Sequence, residues 1–182
     1  MTKNGQLPSG LERANELEQL AELFTDSGSQ RLPSRVLTSA GTAVQEKPDF
    51  SGEWILNRQA STLSKGADAF QSGVWRIQHR EPTFRHEATL VAEGGSREYQ
   101  YELHSDGRNL ESVHEGVRTV SRLQWDGDTL VVTFQTQHSH GEMAVSFRYE
   151  LIDGGRRLRA VEQLRGTDHD QDNIWMFDRR YR

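Results

Sequence analysis

From Phe50 to the end of the chain, apolar and polar residues alternate with a period of two, and turn residues interrupt the alternation at short intervals. Strands buried on one face produce that pattern. The stretch "VRTVSRLQWDGDTLVVTFQT" shows it well. Asp126-Gly127 suits a two-residue hairpin turn, because glycine tolerates positive φ. Folding there sets Leu123 opposite Leu130, Ser121 opposite Val132 and Thr119 opposite Phe134. Arg118 and Arg122 then share the other face with Val131 and Thr133. A slip of one residue would reverse every face. The same exercise pairs Leu90 with Tyr99, Ala88 with Tyr101, and Phe134 with Val145. It also pairs Leu151 with Leu158, Tyr149 with Ala160, and Phe147 with Glu162.

Repeated along the chain, the reading predicts about ten strands. They cover 52–57, 73–80, 83–92, 97–104, 109–114, 117–125, 129–137, 142–152, 157–165 and 172–180, the fifth carrying the weakest pattern. Hairpins join them. The one longer link is 58–72, "RQASTLSKGADAFQS", which is expected to hold a single helical turn. No link has room for a parallel crossover. An antiparallel meander of this length would expose its edges unless it closed. The expected fold is therefore all-β, a closed up-and-down antiparallel β-barrel over residues 49–182, with a two-sheet sandwich as the alternative.

Residues 1–48 differ. Leu11, Ala14, Leu17, Leu20, Ala21 and Phe24 fall on one helical stripe, which predicts an amphipathic helix over about 10–25, followed by a polar linker. The helix either packs on the barrel or serves self-association or docking to a partner; short amphipathic helices need tertiary packing to persist.

Composition narrows the function. Hydrophobic residues make up 34% of the chain and charged residues 27%, which fits a thin wall with much wetted surface. With no cysteine, thiol catalysis, disulfides and thiolate metal sites are excluded. A net charge of −5 is the wrong sign for generic nucleic-acid binding. No apolar run reaches the length of a membrane span, and "MTKNGQLPSG" lacks the apolar core of a secretory signal, so the expected address is the cytoplasm. Phosphate-binding loops, dinucleotide fingerprints and Gly-x-Ser-x-Gly elbows are missing.

At 50–54 the chain reads "FSGEW", and it ends "NIWMFDRRYR". The first stretch resembles the start of lipocalins and of the wider calycin superfamily, which includes fatty-acid-binding proteins. The two ends together resemble bacterial lipocalin-like domains of unassigned function, which begin "GxWxLN" and end in an aromatic-Asp-Arg motif. The resemblance implies that Trp54 closes the barrel floor with an arginine from the chain end packed across it. Arg179 shares an alternating face with Trp175 and Phe177 and is the candidate. It also implies a bacterial source and an interior that holds a small ligand.

Strand direction sorts the links. Those at 58–72, 93–96, 114–116, 138–141 and 166–171 fall at one end, here called the top, and the tight Asp-Gly turns fall at the bottom. The mouth is expected at the top, above a dry, elongated cavity. From the inward face, Trp75, Tyr99, Tyr101, Ser121, Phe134, Phe147, Tyr149 and Trp175 are the candidate ligand contacts. Aromatic walls with a few polar groups are what a small-molecule pocket needs. His79, beside a bottom turn, is expected to be exposed. Arg156, Arg157, Arg159 and Arg165 read as a solvated outer face.

Three functions stay open. The first is binding of a small hydrophobic or amphipathic molecule, with no cofactor. The second is a cofactor-independent enzyme of the cyclase or isomerase type, which some lipocalin-like barrels are; His86, Glu162 or Tyr101 would then act as acid or base. The third is an interaction protein that docks through 10–25. No metal is expected. The nearest approach to a ligand set is His138, His140 and His169 in the top links, with Asp168, Asp170 and His114 beside them.

Overall fold

The computed structural model describes residues 47–114, 116–138, 141–166 and 170–181. The predicted helix over 10–25 and most of its linker lie outside the described residues. In the rest, the period-two pattern becomes ten antiparallel strands: β1 Gly52–Leu56, β2 Phe70–Arg80, β3 Thr83–Ala92, β4 Gly95–His104, β5 Asp106–His114, β6 Val117–Asp126, β7 Thr129–His138, β8 Gly141–Ile152, β9 Arg157–Gly166 and β10 Gln171–Arg179. They form one sheet in the order β4-β3-β2-β1-β10-β9-β8-β7-β6-β5. This is a nearly closed up-and-down barrel. The first and last strands pair, and the seam lies between β4 and β5, which end the sheet without pairing to each other.

Every predicted strand is present, and the hairpin faces are as expected. Two registers differ from expectation by two residues. Trp125, not Leu123, lies opposite Leu130, so Leu123 faces Val132 and Ser121 faces Phe134. The cause is the turn. Gly127, at φ +61°, and Asp128 are its central pair, with Asp126 opposite Thr129. Asp128 is not among the residues with positive φ, and a hairpin turn with positive φ at its first position alone calls for glycine there. Between β3 and β4, Ala92 pairs with Gly95, so the loop has two residues instead of four; Leu90 faces Arg97 and Ala88 faces Tyr99. A shift of two keeps every side chain on its face. The remaining expected pairs, Phe134 with Val145, Leu151 with Leu158, Tyr149 with Ala160 and Phe147 with Glu162, are observed.

The floor is an aromatic plug. Trp54 is fully buried, and its indole N–H donates to the Phe50 carbonyl at 3.0 Å. Arg179 is its register partner on β10, with the guanidinium 4.3 Å from the ring centroid. The same guanidinium donates to the carbonyls of Gly155 and Ser51, both at 2.9 Å. Gly52 takes φ +150°, and a Cβ there would sit 3.3 Å from Arg179 Nη1, so the glycine makes room for this contact. His79 corrects an expectation. Its side chain is only 3% exposed, because residues 47–51 cross the bottom and place Phe50 against it. The Phe50 N–H donates to His79 Nδ1 at 3.4 Å, and Nε2 meets Glu81 at 3.0 Å.

At the top, the link after β1 forms a strap, residues 57–69, with a single 3-10 turn at Ala67–Ala69. It is stitched to β10. Thr62 and Ile174 exchange backbone hydrogen bonds, and the Met176 N–H donates to Ser61 Oγ at 3.0 Å.

Candidate functional site

Under the strap, at the upper end of the barrel, lies a cavity of about 70 Å³. A buried water needs roughly 10–15 Å³ on this measure, so the space holds a few water molecules. Below it, the buried rings of Phe84, His86 and Tyr149 pack on one another, and the Phe177 ring lies 4.0 Å from that of Trp75 by centroids.

Six of the expected ligand contacts meet on the cavity wall: Trp75 from β2, Tyr99 and Tyr101 from β4, Phe134 from β7, Phe147 from β8 and Trp175 from β10. Inward parity brings them to one interior, since alternate residues of a strand share a face. Ser121 and Tyr149 point inward as well but do not line the cavity. Tyr149 lies beneath it, its hydroxyl 2.8 Å from that of Tyr101. Sequence reasoning missed Ala67, Phe70, Arg97 and Asn173 as wall residues. A register irregularity between Phe70 and Ser72 breaks the period at the start of β2, so that part of the strand reads as loop.

Three groups were expected as acid or base, and two of them reach the cavity. Tyr101 lines it, as does Glu162, which is 7% exposed. Glu162 Oε2 accepts the Asn173 side-chain N–H at 2.8 Å and the Trp175 indole N–H at 2.7 Å. Burial raises the pKa of this carboxyl, and the two hydrogen bonds offset part of the rise. Asn173 also accepts the Ser64 backbone N–H at 2.6 Å, so one side chain joins the strap to the buried carboxyl. His86 does not line the cavity. It is fully buried behind it, with ring centroids 4.7 Å from Trp75 and 5.0 Å from Tyr101. Among the described residues, neither ring nitrogen has a hydrogen-bond partner, nor does Trp75 Nε1 or Thr119 Oγ1. Burial lowers the His86 pKa to about 3, so the imidazole is neutral at ordinary pH. Burial raises the pKa of Tyr99, Tyr101 and Tyr149, which stay protonated.

The outward arginines carry acidic partners. Arg157 meets Asp153 and Asp178, Arg159 meets Glu150, and Arg165 meets Asp172. Among the described residues, no group of three His, Asp or Glu side chains gathers as a metal site. His140, His169 and the side chain of His138 lie outside the described residues. No helix among the described residues is long and apolar enough to cross a membrane.

No family model and no curated protein matches this sequence. Solved structures do match its shape. A secretory abundant heat soluble protein from Ramazzottius varieornatus aligns over 71% of this chain and 94% of its own, with a TM-score of 0.50 and 9% identity. The fold is calycin-like. Human cRBP IV matches over 73% of this chain and 99% of its own, at TM-score 0.49 and 17% identity. A Schistosoma mansoni fatty acid binding protein, solved in complex with arachidonic acid, matches over 72% and 96%, at TM-score 0.42 and 10% identity. The calycin-like barrel spans the described residues, and its Gly-x-Trp and Arg179 meet at the floor as the resemblance implied.

Proposed function

We propose that this barrel binds a small, largely apolar molecule in the cavity beneath the strap. The carrying observation is local. An aromatic-walled space lies at the end covered by the strap, with a buried carboxyl on its wall. Pockets for drug-sized ligands run from about 300 Å³ upward. A cavity of about 70 Å³ therefore takes a compact molecule, or the tip of a longer one.

Titration with a polarity-sensitive dye, with Trp75 and Trp175 as intrinsic reporters, tests the reading. Saturable uptake at one dye per chain is expected. Phe134→Trp, which adds bulk at the wall, should weaken it by about tenfold or more. No uptake by the wild-type protein would end the proposal.

One observation favours a second reading, acid–base catalysis in the same space. A carboxyl whose pKa burial raises above its ordinary range suits a general acid. Turnover lost in Glu162→Gln with binding retained would mark it. Glu162 and Tyr101 stand on the cavity wall for that role, and His86 packs behind it against Trp75 and Tyr101.

A further inference from the structure

The polar groups of the cavity restrict the chemistry of what enters it; the argument rests on the binding reading above. Glu162 is the carboxyl among the described residues of this wall. Both N–H donors that hold it, Asn173 Nδ2 and Trp175 Nε1, bond to Oε2. Oε1 makes no hydrogen bond to a described residue, and the side chain belongs to the cavity lining. Oε1 is not among the buried atoms closed off without a partner, so it opens to the cavity. A ligand that displaces water from it without offering a donor leaves it unpaired at a cost, and a donor on the ligand avoids that cost. The other titratable groups on the wall are Arg97, Tyr99 and Tyr101. Arg97 belongs to the upper part of β4, its guanidinium 5.8 Å from the Phe70 ring centroid.

We infer that the ligand enters with a hydrogen-bond donor at its buried end, a hydroxyl or an amine, and that Glu162 Oε1 receives it. A free carboxylate is disfavoured at the same place. In a space this small it would lie against another carboxyl group, and two such neighbours cannot both ionise. An ammonium would gain twice, from the carboxylate and from the faces of Trp175, Tyr99 and Phe147. Arg97 offers the rival outcome, a carboxylate held on the guanidinium.

Matched probes separate these cases. Hexanol, hexylamine and hexanoate would each be titrated by calorimetry and by displacement of the dye, with melting temperature as the folding control. Hexanol or hexylamine should bind about tenfold or more tightly than hexanoate. Glu162→Leu should remove the preference. Glu162→Gln keeps the shape but must hold its amide oxygen toward the Asn173 and Trp175 donors, which turns its NH2 to the cavity. It should lose the preference for hexanol and hexylamine over hexanoate. This variant also serves if Glu162→Leu does not fold. Dye uptake with no preference among the three heads, or with hexanoate tightest, overturns the inference and leaves the binding reading intact. Failure of the dye and of all three probes overturns both.

Discussion

At the scale of single residues, His86 and Glu162 pull stability in opposite directions with pH. His86 titrates near 6.5 when unfolded and at about 3 in the barrel. Between those values the unfolded chain holds a proton that the folded one does not. Stability is therefore lost as pH falls through the window, at about 1.4 kcal/mol per pH unit. Glu162 has a folded pKa above its ordinary 4.5, so the folded state holds the extra proton. Its contribution is full below 4.5 and is lost as pH rises through the raised value. We expect His86→Leu to flatten the acid limb of a melting-temperature profile and Glu162→Gln to flatten the limb above pH 4.5. His86→Leu should also stabilise at neutral pH by roughly 1 kcal/mol, because it removes two unpaired buried nitrogens. Urea denaturation at fixed pH values checks both; an unchanged acid limb in His86→Leu would contradict the assignment. The sequence showed that His86 points inward, since parity alone decides that. It did not show that His79 is buried, because the cover comes from Phe50, a residue far away in sequence that crosses the floor.

At the scale of strands and turns, faces were legible and heights were not. Alternation assigns each side chain to the inside or the outside. Stagger between strands decides how far up the barrel an inward residue sits. Trp75, Tyr99 and Phe134 reach the cavity, while Tyr149, with the same parity, lies below it. A one-strand view could not separate them. The same distinction makes Gly73 informative. A Cβ there would come within 2.6 Å of Leu90 Cδ2, and Leu90 lines the cavity. The Gly73 φ is not in the positive region, so the backbone accepts alanine without strain. Gly73→Ala should displace Leu90 and weaken dye binding several-fold, with stability changed by about 1 kcal/mol or less. Calorimetric titration beside a thermal melt separates the two effects; intact binding would show that Leu90 swings elsewhere. The strap is the element that sequence explained least. Its contacts, Thr62 with Ile174 and Ser64 with Asn173, join segments distant in the chain and leave no local pattern.

At the scale of the whole molecule, the two ends of the barrel have different tasks. The floor joins the first and last strands through Trp54 and Arg179. Arg179→Ala removes a cation–π contact and two charge-assisted hydrogen bonds, and should cost roughly 2–4 kcal/mol in denaturant unfolding. Dye affinity in the folded fraction should hold, since Arg179 lies away from the cavity. Lost affinity in a folded variant would contradict the division between ends. The meander order and the pairing of the chain ends were legible, because an even number of antiparallel strands brings the last beside the first. The seam was not. It runs along β5, where Leu110 is 50% exposed and Val113 is 71% exposed. The same strand carried the weakest alternation, and on that side it pairs with no strand among the described residues.

That seam changes what the small cavity means. A hoop joined all the way round has a fixed circumference, and widening it would break a ladder of hydrogen bonds. A split ring dilates by bending, and the two lips at β4 and β5 have no ladder between them to give up. Tyr99 and Tyr101 ride on one lip. The volume at rest therefore sets a lower bound on what the barrel can hold, and the stiffness of nine paired strand junctions sets the upper one.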